Sequence, residues 1–337
     1  MPDLSRPPDL PRPPVRPYRL GTRRSPLAMA QAEEARARLV AAHGLREGDI
    51  ELVPVTASGD RIQDRPLADI GGKALWTKEL DEWLLAGEID FAVHSLKDVE
   101  TIRPPGIAIA AILPREDVRD VLVGAASIVA LPQGARIGTS APRRAAQLLH
   151  ARPDCKIVPF RGNVATRLAK LAAGEADATL LAAAGLNRLG ETGVGHPLAA
   201  DEWLPAPGQG AIAIECRTND TATIALLAGI DHQPSRAEVT AERALLAALG
   251  GNCHSPIAVL SRWEGDRLTL RAALFSPDGS ERVEGQVSFT GSFAAGDMQA
   301  PARLAADLLE RAVPAIADHF AGPQSAGPQP ARPQRVR

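Results

Sequence analysis

One pattern recurs along this chain and restricts its fold more than any other. A short apolar run leads into a loop of charged or hydroxyl residues, and an Ala-rich stretch with helical spacing follows. Tyr18–Gly21 passes through Thr22-Arg23-Arg24-Ser25 into a helix predicted from Pro26 to His43. Strands are predicted at Ile50–Val55, Ile89–Val93 and Ile107–Leu113, with a helix from Thr77 to Ala86. The pattern starts again near Val118. It predicts strands at Val121–Val123, Arg136–Ile137, Ile157–Phe160 and Ala178–Leu181, and helices at Pro142–His150, Val164–Ala173 and Gly185–Leu189. Strands alternating with helices imply an α/β fold with parallel, doubly wound sheets, whose ligands lie beyond the carboxyl ends of the strands.

That rule gives weight to Phe91-Ala92-Val93-His94-Ser95-Leu96-Lys97-Asp98-Val99-Glu100. A buried strand here runs directly into an ammonium and a carboxylate. Two readings fit: a polar turn with a local ion pair, or a pair of groups delivered to the crevice. The basic residues favour the crevice. Arg143 and Arg144 follow Gly138-Thr139-Ser140 at a helix start, and Arg161 lies just past a strand. Arg167 is in the next helix, and Arg188 follows the last strand of the unit. All five fall on one predicted edge. Arg23 and Ser25 stand at a strand-to-helix junction, where simple capping and an anion site are both possible. Gly71-Gly72-Lys73 lacks the full phosphate-loop pattern and a strand directly before it, which argues against nucleotide binding.

Pro205-Ala206-Pro207-Gly208-Gln209-Gly210 breaks the alternation just before another strand, Ala211–Cys216. If that strand returns to the first sheet, two crossing segments form a hinge between two lobes. A helix at Ser235–Leu249, a meander of strands at Ile257–Trp263, Leu268–Phe275 and Arg282–Phe289, and a helix at Pro301–Phe320 then make a small α+β domain. The 337 residues therefore divide into a Pro-rich disordered tail at 1–17, a discontinuous lobe at 18–114 and 211–229, a second lobe at 115–210, a third domain at 230–322, and a disordered tail at 323–337. A net charge of −2 and 3% aromatic residues speak against a nucleic-acid-binding protein, which would want basic surfaces and stacking platforms. No basic-then-apolar leader and no membrane-length apolar run stand out, so a soluble cytoplasmic protein is expected, without a membrane partner.

The three cysteines, Cys155, Cys216 and Cys253, show neither metal nor disulfide spacing. Cys155 and Cys216 are expected inside strands as buried thiols. Cys253 lies in the Gly-rich loop Gly250-Gly251-Asn252-Cys253-His254-Ser255-Pro256 and is either an incidental loop residue or a reactive thiol.

Several of these stretches, in this order, resemble the porphobilinogen deaminase (hydroxymethylbilane synthase) family. They are Thr22-Arg23-Arg24-Ser25-Pro26-Leu27-Ala28, Gly71-Gly72-Lys73, His94-Ser95-Leu96-Lys97-Asp98-Val99, and Gly138-Thr139-Ser140 with Arg143-Arg144. Arg161-Gly162-Asn163-Val164 with Arg167-Leu168, Gly185-Leu186 with Arg188-Leu189, Pro207-Gly208-Gln209-Gly210 and the Cys253 loop complete the set. The resemblance runs from about Tyr18 to Phe320. Departures are Glu100 where the family usually has Pro, Trp76 where Phe is common, and Asn252 where Gly often precedes the cysteine.

The resemblance implies two lobes like type II periplasmic binding proteins plus a small C-terminal α+β domain. It implies a transferase of porphyrin biosynthesis that joins porphobilinogen units head to tail with loss of ammonia, and finally releases hydroxymethylbilane with water. A dipyrromethane cofactor would be held by a thioether to Cys253, and the protein would be a monomer. The acetate and propionate arms of cofactor and substrate would meet Arg23, Ser25, Ser95, Thr139, Ser140, Arg143, Arg144, Arg161, Asn163, Arg167, Arg188 and Gln209. Arginine suits that task because its planar fork binds carboxylates bidentately and stays charged. Asp98, assisted by Lys97, would stabilise the cationic pyrroles left after ammonia departs. A two-lobed receptor for a dicarboxylate is the competing reading, but it needs neither the third domain nor Cys253.

Overall fold

The computed structural model describes residues 16–56, 77–252, 254–290 and 299–320. The first sheet contains β1 (Tyr18–Arg23), β2 (Ile50–Val55), β3 (Phe91–Ser95), β4 (Ile107–Ile112) and β10 (Ile212–Arg217), in the order β2-β1-β3-β10-β4. The second contains β5 (Asp120–Val123), β6 (Arg136–Gly138), β7 (Lys156–Val158), β8 (Ala178–Ala182) and β9 (His196–Pro197), in the order β7-β6-β8-β5-β9. The strand after the Pro-rich break does return to the first sheet, so the chain crosses between the sheets twice.

Both sheets are mixed rather than parallel throughout. β10 runs antiparallel to β3 and β4, and β5 runs antiparallel to β8 and β9. These are the two strands that enter a sheet directly from a crossing segment. A chain arriving from the other lobe comes in at the opposite end, so its strand runs against the rest. Residue alternation identifies a strand but carries no information about its direction.

Helix α1 (Pro26–His43) begins where Ser25 Oγ accepts the Ala28 N–H at 3.3 Å. It stops at Gly44, whose left-handed φ of 61° lets its N–H close on the Val40 carbonyl. Its buried face carries Gln31, Leu39 and the alanines Ala28, Ala32 and Ala35, whose small side chains allow close approach to the sheet. There they meet Leu20, Phe91, Val93, Ile212 and Ile214. Helix α2 (Lys78–Ala86) covers the other face through Leu80 and Leu84. In the second lobe, α3 (Pro142–Ala151) packs on a core of Leu122, Ile137, Leu148, Leu180 and Trp203, while α4 (Val164–Ala172) and α5 (Ala183–Arg188) pack on Val121 and Leu181. Helix α6 (Thr221–Ala228), absent from the sequence reading, packs behind the first sheet through Leu226 and Leu227.

The third domain is the expected meander, β11 (Ile257–Glu264), β12 (Arg267–Phe275) and β13 (Arg282–Thr290). One face is sealed by α7 (Gln233–Ala248) and α8 (Gln299–Arg311). The long helix expected at Pro301–Phe320 is two helices. Pro314 forces Val313 into extended geometry, and a separate α9 (Pro314–Ala317) starts there. Cys216 lies in β10 as expected, whereas Cys155 precedes β7 and Phe160 follows it. Both thiols are buried. The segment holding Gly71, Gly72, Lys73 and Trp76, and Cys253 itself, lie outside the described residues.

The second crossing depends on Gly210. Its φ is 83°, and a Cβ there would sit 2.4 Å from the Glu116 carbonyl oxygen of the first crossing. Gly210→Ala is expected to lower stability by roughly 1–3 kcal/mol. Denaturant titration measures this, and an unchanged midpoint would contradict it.

Candidate active site

β3 is buried along Phe91–His94 and ends at Ser95, after which Leu96–Asp98 form one tight 3-10 turn. Leu96 plugs the turn into the core, and its N–H donates to the Ala211 carbonyl at 3.0 Å. Gly208 of the second crossing presses on the turn from the other side. With φ at 70°, a Cβ there would lie 3.1 Å from Leu96 Cγ and 3.3 Å from the Lys97 nitrogen. The turn is thus held while Lys97 and Asp98 remain half-buried at its rim.

Asp98 lines a recess together with Arg23, Ser25, Gln31, His94 and Ser95. Gln31 Nε2 donates to Ser95 Oγ at 2.8 Å and fixes that hydroxyl. Among the described residues, Asp98 makes no hydrogen bond or salt bridge. Cations stand around it nevertheless. Burial pulls Lys97 down to about 8, with Arg144 and Arg143 acting in the same direction and the Asp98 carboxylate opposing them. Burial likewise lowers Arg167 to about 10, helped by Arg144 and Arg161 and opposed by Asp98. Arg167 Nε donates to the Gly162 carbonyl at 3.0 Å, and its Nη groups make no hydrogen bond among the described residues.

Arg143 and Arg144 are 5% exposed and bind one carboxylate, that of Asp120 at the start of β5. Arg143 Nη1 donates to Oδ2 at 2.5 Å and Arg144 Nη2 to Oδ1 at 2.7 Å. Gln209 Nε2 adds a bond to Oδ1 at 2.9 Å and Trp203 Nε1 one to Oδ2 at 2.8 Å. Burial alone would push the Asp120 carboxyl up, but the two guanidiniums outweigh it and hold it well below the usual carboxylate range. Four buried atoms here have no hydrogen-bond partner among the described residues: the donors Ser140 Oγ, Arg143 Nε and Arg144 Nε, and the acceptor Gln209 Oε1. A ligand with carboxylate arms supplies the acceptors that such orphaned donors require.

Other sequence-predicted residues are occupied within the protein. Asn163 caps α4, accepting from the Thr166 N–H and Oγ1, both at 2.9 Å. Thr139 is buried, and its Oγ1 accepts the Ala141 N–H at 3.2 Å. Arg188 spans the lobes, from Nε to Glu34 Oε2 at 3.3 Å and from Nη2 to the Gly210 carbonyl at 3.0 Å. Arg161 is half-buried near Arg167.

Sequence reasoning did not find Asp120, Gln31, Trp203 or a buried network behind the recess. There Arg103 pairs with Glu215 through Nε at 2.8 Å and Nη2 at 2.9 Å, and also with Asp81. His94 Nε2 lies 3.3 Å from Glu215 Oε2 without forming a hydrogen bond. Burial, reinforced by Arg103, lowers His94 to about 4, so it is neutral at pH 7. Gln31 was findable, as a polar residue on the Ala face of α1. Asp120 carries no local signal.

The fold and site define a two-lobed α/β protein whose crevice gathers cations around a carboxylate that has no bonded partner among the described residues, with a third domain appended. The chain belongs to the porphobilinogen deaminase family. Residues 18–225 match the family model "Porphobilinogen deaminase, dipyromethane cofactor binding domain", and residues 236–311 match "Porphobilinogen deaminase, C-terminal domain". It is 58% identical to the porphobilinogen deaminase of Sphingopyxis alaskensis, over 91% of this chain and 98% of that protein. It is 54% identical to that of Paracoccus denitrificans, over 80% and 87% respectively. Among solved structures, the periplasmic VFT2 domain of BvgS from Bordetella pertussis overlays with a TM-score of 0.37 at 16% identity, over 63% of this chain and 86% of that domain. A likeness that distant adds nothing to the topology described above.

Asp120→Asn should leave two buried guanidiniums short of their counter-charge and cost about 3–5 kcal/mol at pH 7. Because the folded-state value is depressed, the carboxylate stabilises the fold above its unfolded value of about 4. That contribution fades as pH falls below this value. The stability gap between parent and variant should therefore narrow from pH 7 toward pH 3 in denaturant titrations, and a pH-independent gap would contradict the assignment.

Proposed function

We propose that this chain is a hydroxymethylbilane synthase. It condenses porphobilinogen units head to tail, releases ammonia at each step, and frees the linear tetrapyrrole with water. The observation that carries this reading, in a chain of this family, is the charge layout. Among the described residues Asp98 has no bonded partner, and the Nη groups of Arg167 near it and donors of Ser140, Arg143 and Arg144 have no acceptor. The residues fit a ligand with acidic arms. Dipyrromethane, when bound through Cys253, supplies the pyrrole carbon onto which the substrate is joined.

The chain's own groups then divide the work. Ser140, Arg144, Arg161 and Arg167 hold carboxylate arms, and Arg143 shares that task from its place against Asp120. Arg23, Ser25 and Ser95 frame the recess beside Asp98. Asp98 sets its negative charge near the pyrrole N–H groups, where positive charge develops, and accepts or returns a proton there. Lys97, mainly protonated at pH 7, balances that charge. Thr139, Asn163 and Gln209 act by holding these groups in place. Arg188 reaches a ligand carboxylate by giving up Glu34 for it. In this reading residues 18–114 with 211–229 form one lobe, 115–210 the second and 230–322 the third domain. The protein works as a cytoplasmic monomer with porphobilinogen as its substrate and no nucleic-acid or membrane partner. No helix among the described residues is long and apolar enough to cross a membrane.

The intact mass of the purified protein tests the reading. A covalent adduct should be present and map by peptide mass to Cys253. Cys253→Ser should abolish it, while Cys155→Ser and Cys216→Ser keep it. Burial pushes the Cys216 thiol up to about 11, which leaves it a poor nucleophile at neutral pH. An adduct on Cys155 or Cys216, or a bare chain in excess porphobilinogen, would refute the assignment.

A further inference from the structure

The turn that carries Asp98 continues into Val99, Glu100 and Thr101, and one guanidinium from the third domain gathers the carbonyls of all three. Arg243 on α7 donates from Nη1 to the Val99 carbonyl at 3.4 Å. Its Nη2 donates to the Glu100 carbonyl at 2.7 Å and to the Thr101 carbonyl at 2.9 Å. Thr101 Oγ1 in turn donates to the Gly251 carbonyl at 3.1 Å. Gly251 opens the loop that contains Cys253, and its N–H closes on Leu246 of α7 at 2.9 Å. The loop is fixed from within as well. The Asn252 N–H donates to Ser255 Oγ at 3.1 Å, and the His254 N–H to Asn252 Oδ1 at 2.8 Å.

Arg243 makes no salt bridge among the described residues; its partners are main-chain carbonyls alone. Burial lowers it to about 10, with Glu215 of the network behind the recess opposing and Arg103 adding to the effect. A desolvated guanidinium without a bonded carboxylate is a costly way to join two domains, since apolar packing would do so more cheaply. A fork that reads three successive carbonyls responds instead to the path of the main chain. That path, directly after residue 98, sets where the Asp98 carboxylate stands. The planar fork matches this row of acceptors in a way an ammonium does not.

We propose that Arg243 is a positioning residue for the reaction. From the third domain it fixes the end of the Asp98 turn, and Thr101 carries the same constraint to the loop of Cys253. This rests on the function proposed above. The geometry predicts a loss in turnover rather than in binding, because the groups around the substrate carboxylates are untouched.

The test compares Arg243→Gln, Arg243→Lys and Thr101→Val with the parent by intact mass, thermal melting and steady-state kinetics per adduct-bearing chain. Arg243→Gln is expected to carry the adduct, keep KM within about twofold and lose about ten- to a hundredfold in kcat. Arg243→Lys should recover part of that loss, and Thr101→Val should show a smaller fall of the same kind. If Arg243→Gln turns over like the parent, or changes only its melting temperature or KM, the inference is overturned. Should Arg243→Gln fail to fold, Thr101→Val decides: parental kcat in that folded variant overturns the proposal. A parent without an adduct would instead defeat the function proposed above, and the intact mass separates the two failures.

Discussion

The structure depends on one buried carboxylate. Asp120 accepts hydrogen bonds from Arg143, Arg144, Gln209 and Trp203 at 2.5–2.9 Å, with no exposure to solvent. A charge buried this deeply is tolerable only if it is paired and fully hydrogen-bonded. The arrangement meets both conditions by drawing on three separate parts of the chain. Arg143 and Arg144 bring the first turn of α3, Trp203 the end of the second lobe, and Gln209 the second crossing. Two guanidiniums are thereby held inside the second lobe, with an Nε of each unpartnered among the described residues. The crossing is fixed as well, and through Gly208 it bears on the turn of Lys97 and Asp98.

The contrast between Asp120 and Asp98 separates structure from chemistry. Both carboxylates stand near arginines, yet every bond Asp120 can offer is taken and Asp98 makes none among the described residues. The cations divide in the same way. Arg103 is absorbed by Glu215 and Asp81 within the first lobe, and Arg115 by Glu242 on α7, which ties the first crossing to the third domain. Arg167, near Asp98, has Nη donors that make no hydrogen bond among the described residues. A site that collects carboxylates while stabilising positive charge needs both classes, and it needs them kept apart by geometry.

The alternation of apolar runs and Ala-rich stretches made the two lobes legible, and the Pro-Gly-Gln-Gly break made the return crossing legible. The directions of β5 and β10 were not, because a strand's residue pattern is the same read either way. The site was legible to the extent that residue type determines role. Asp98, Arg23, Ser25 and Ser95 line one recess. Sequence reasoning treated every arginine on the predicted edge as equivalent. It could not see that Arg188 would meet Glu34, or that Arg143 and Arg144 would share Asp120. Asn163 was taken for a binding group, but its side chain caps the helix that begins with Val164. Those outcomes are set by partners distant in sequence, which no local motif records.

The central claim is that the uncommitted charge of Asp98, not merely its shape, drives the reaction. Single-turnover ammonia release from chains that carry the Cys253 adduct measures this most directly. Asp98→Asn should release ammonia roughly 100- to 1000-fold more slowly than the parent. Asp98→Glu, which keeps the charge one methylene farther out, should retain more of the rate. Release from adduct-bearing Asp98→Asn at the parent rate would contradict the account and leave Asp98 as a polar turn residue.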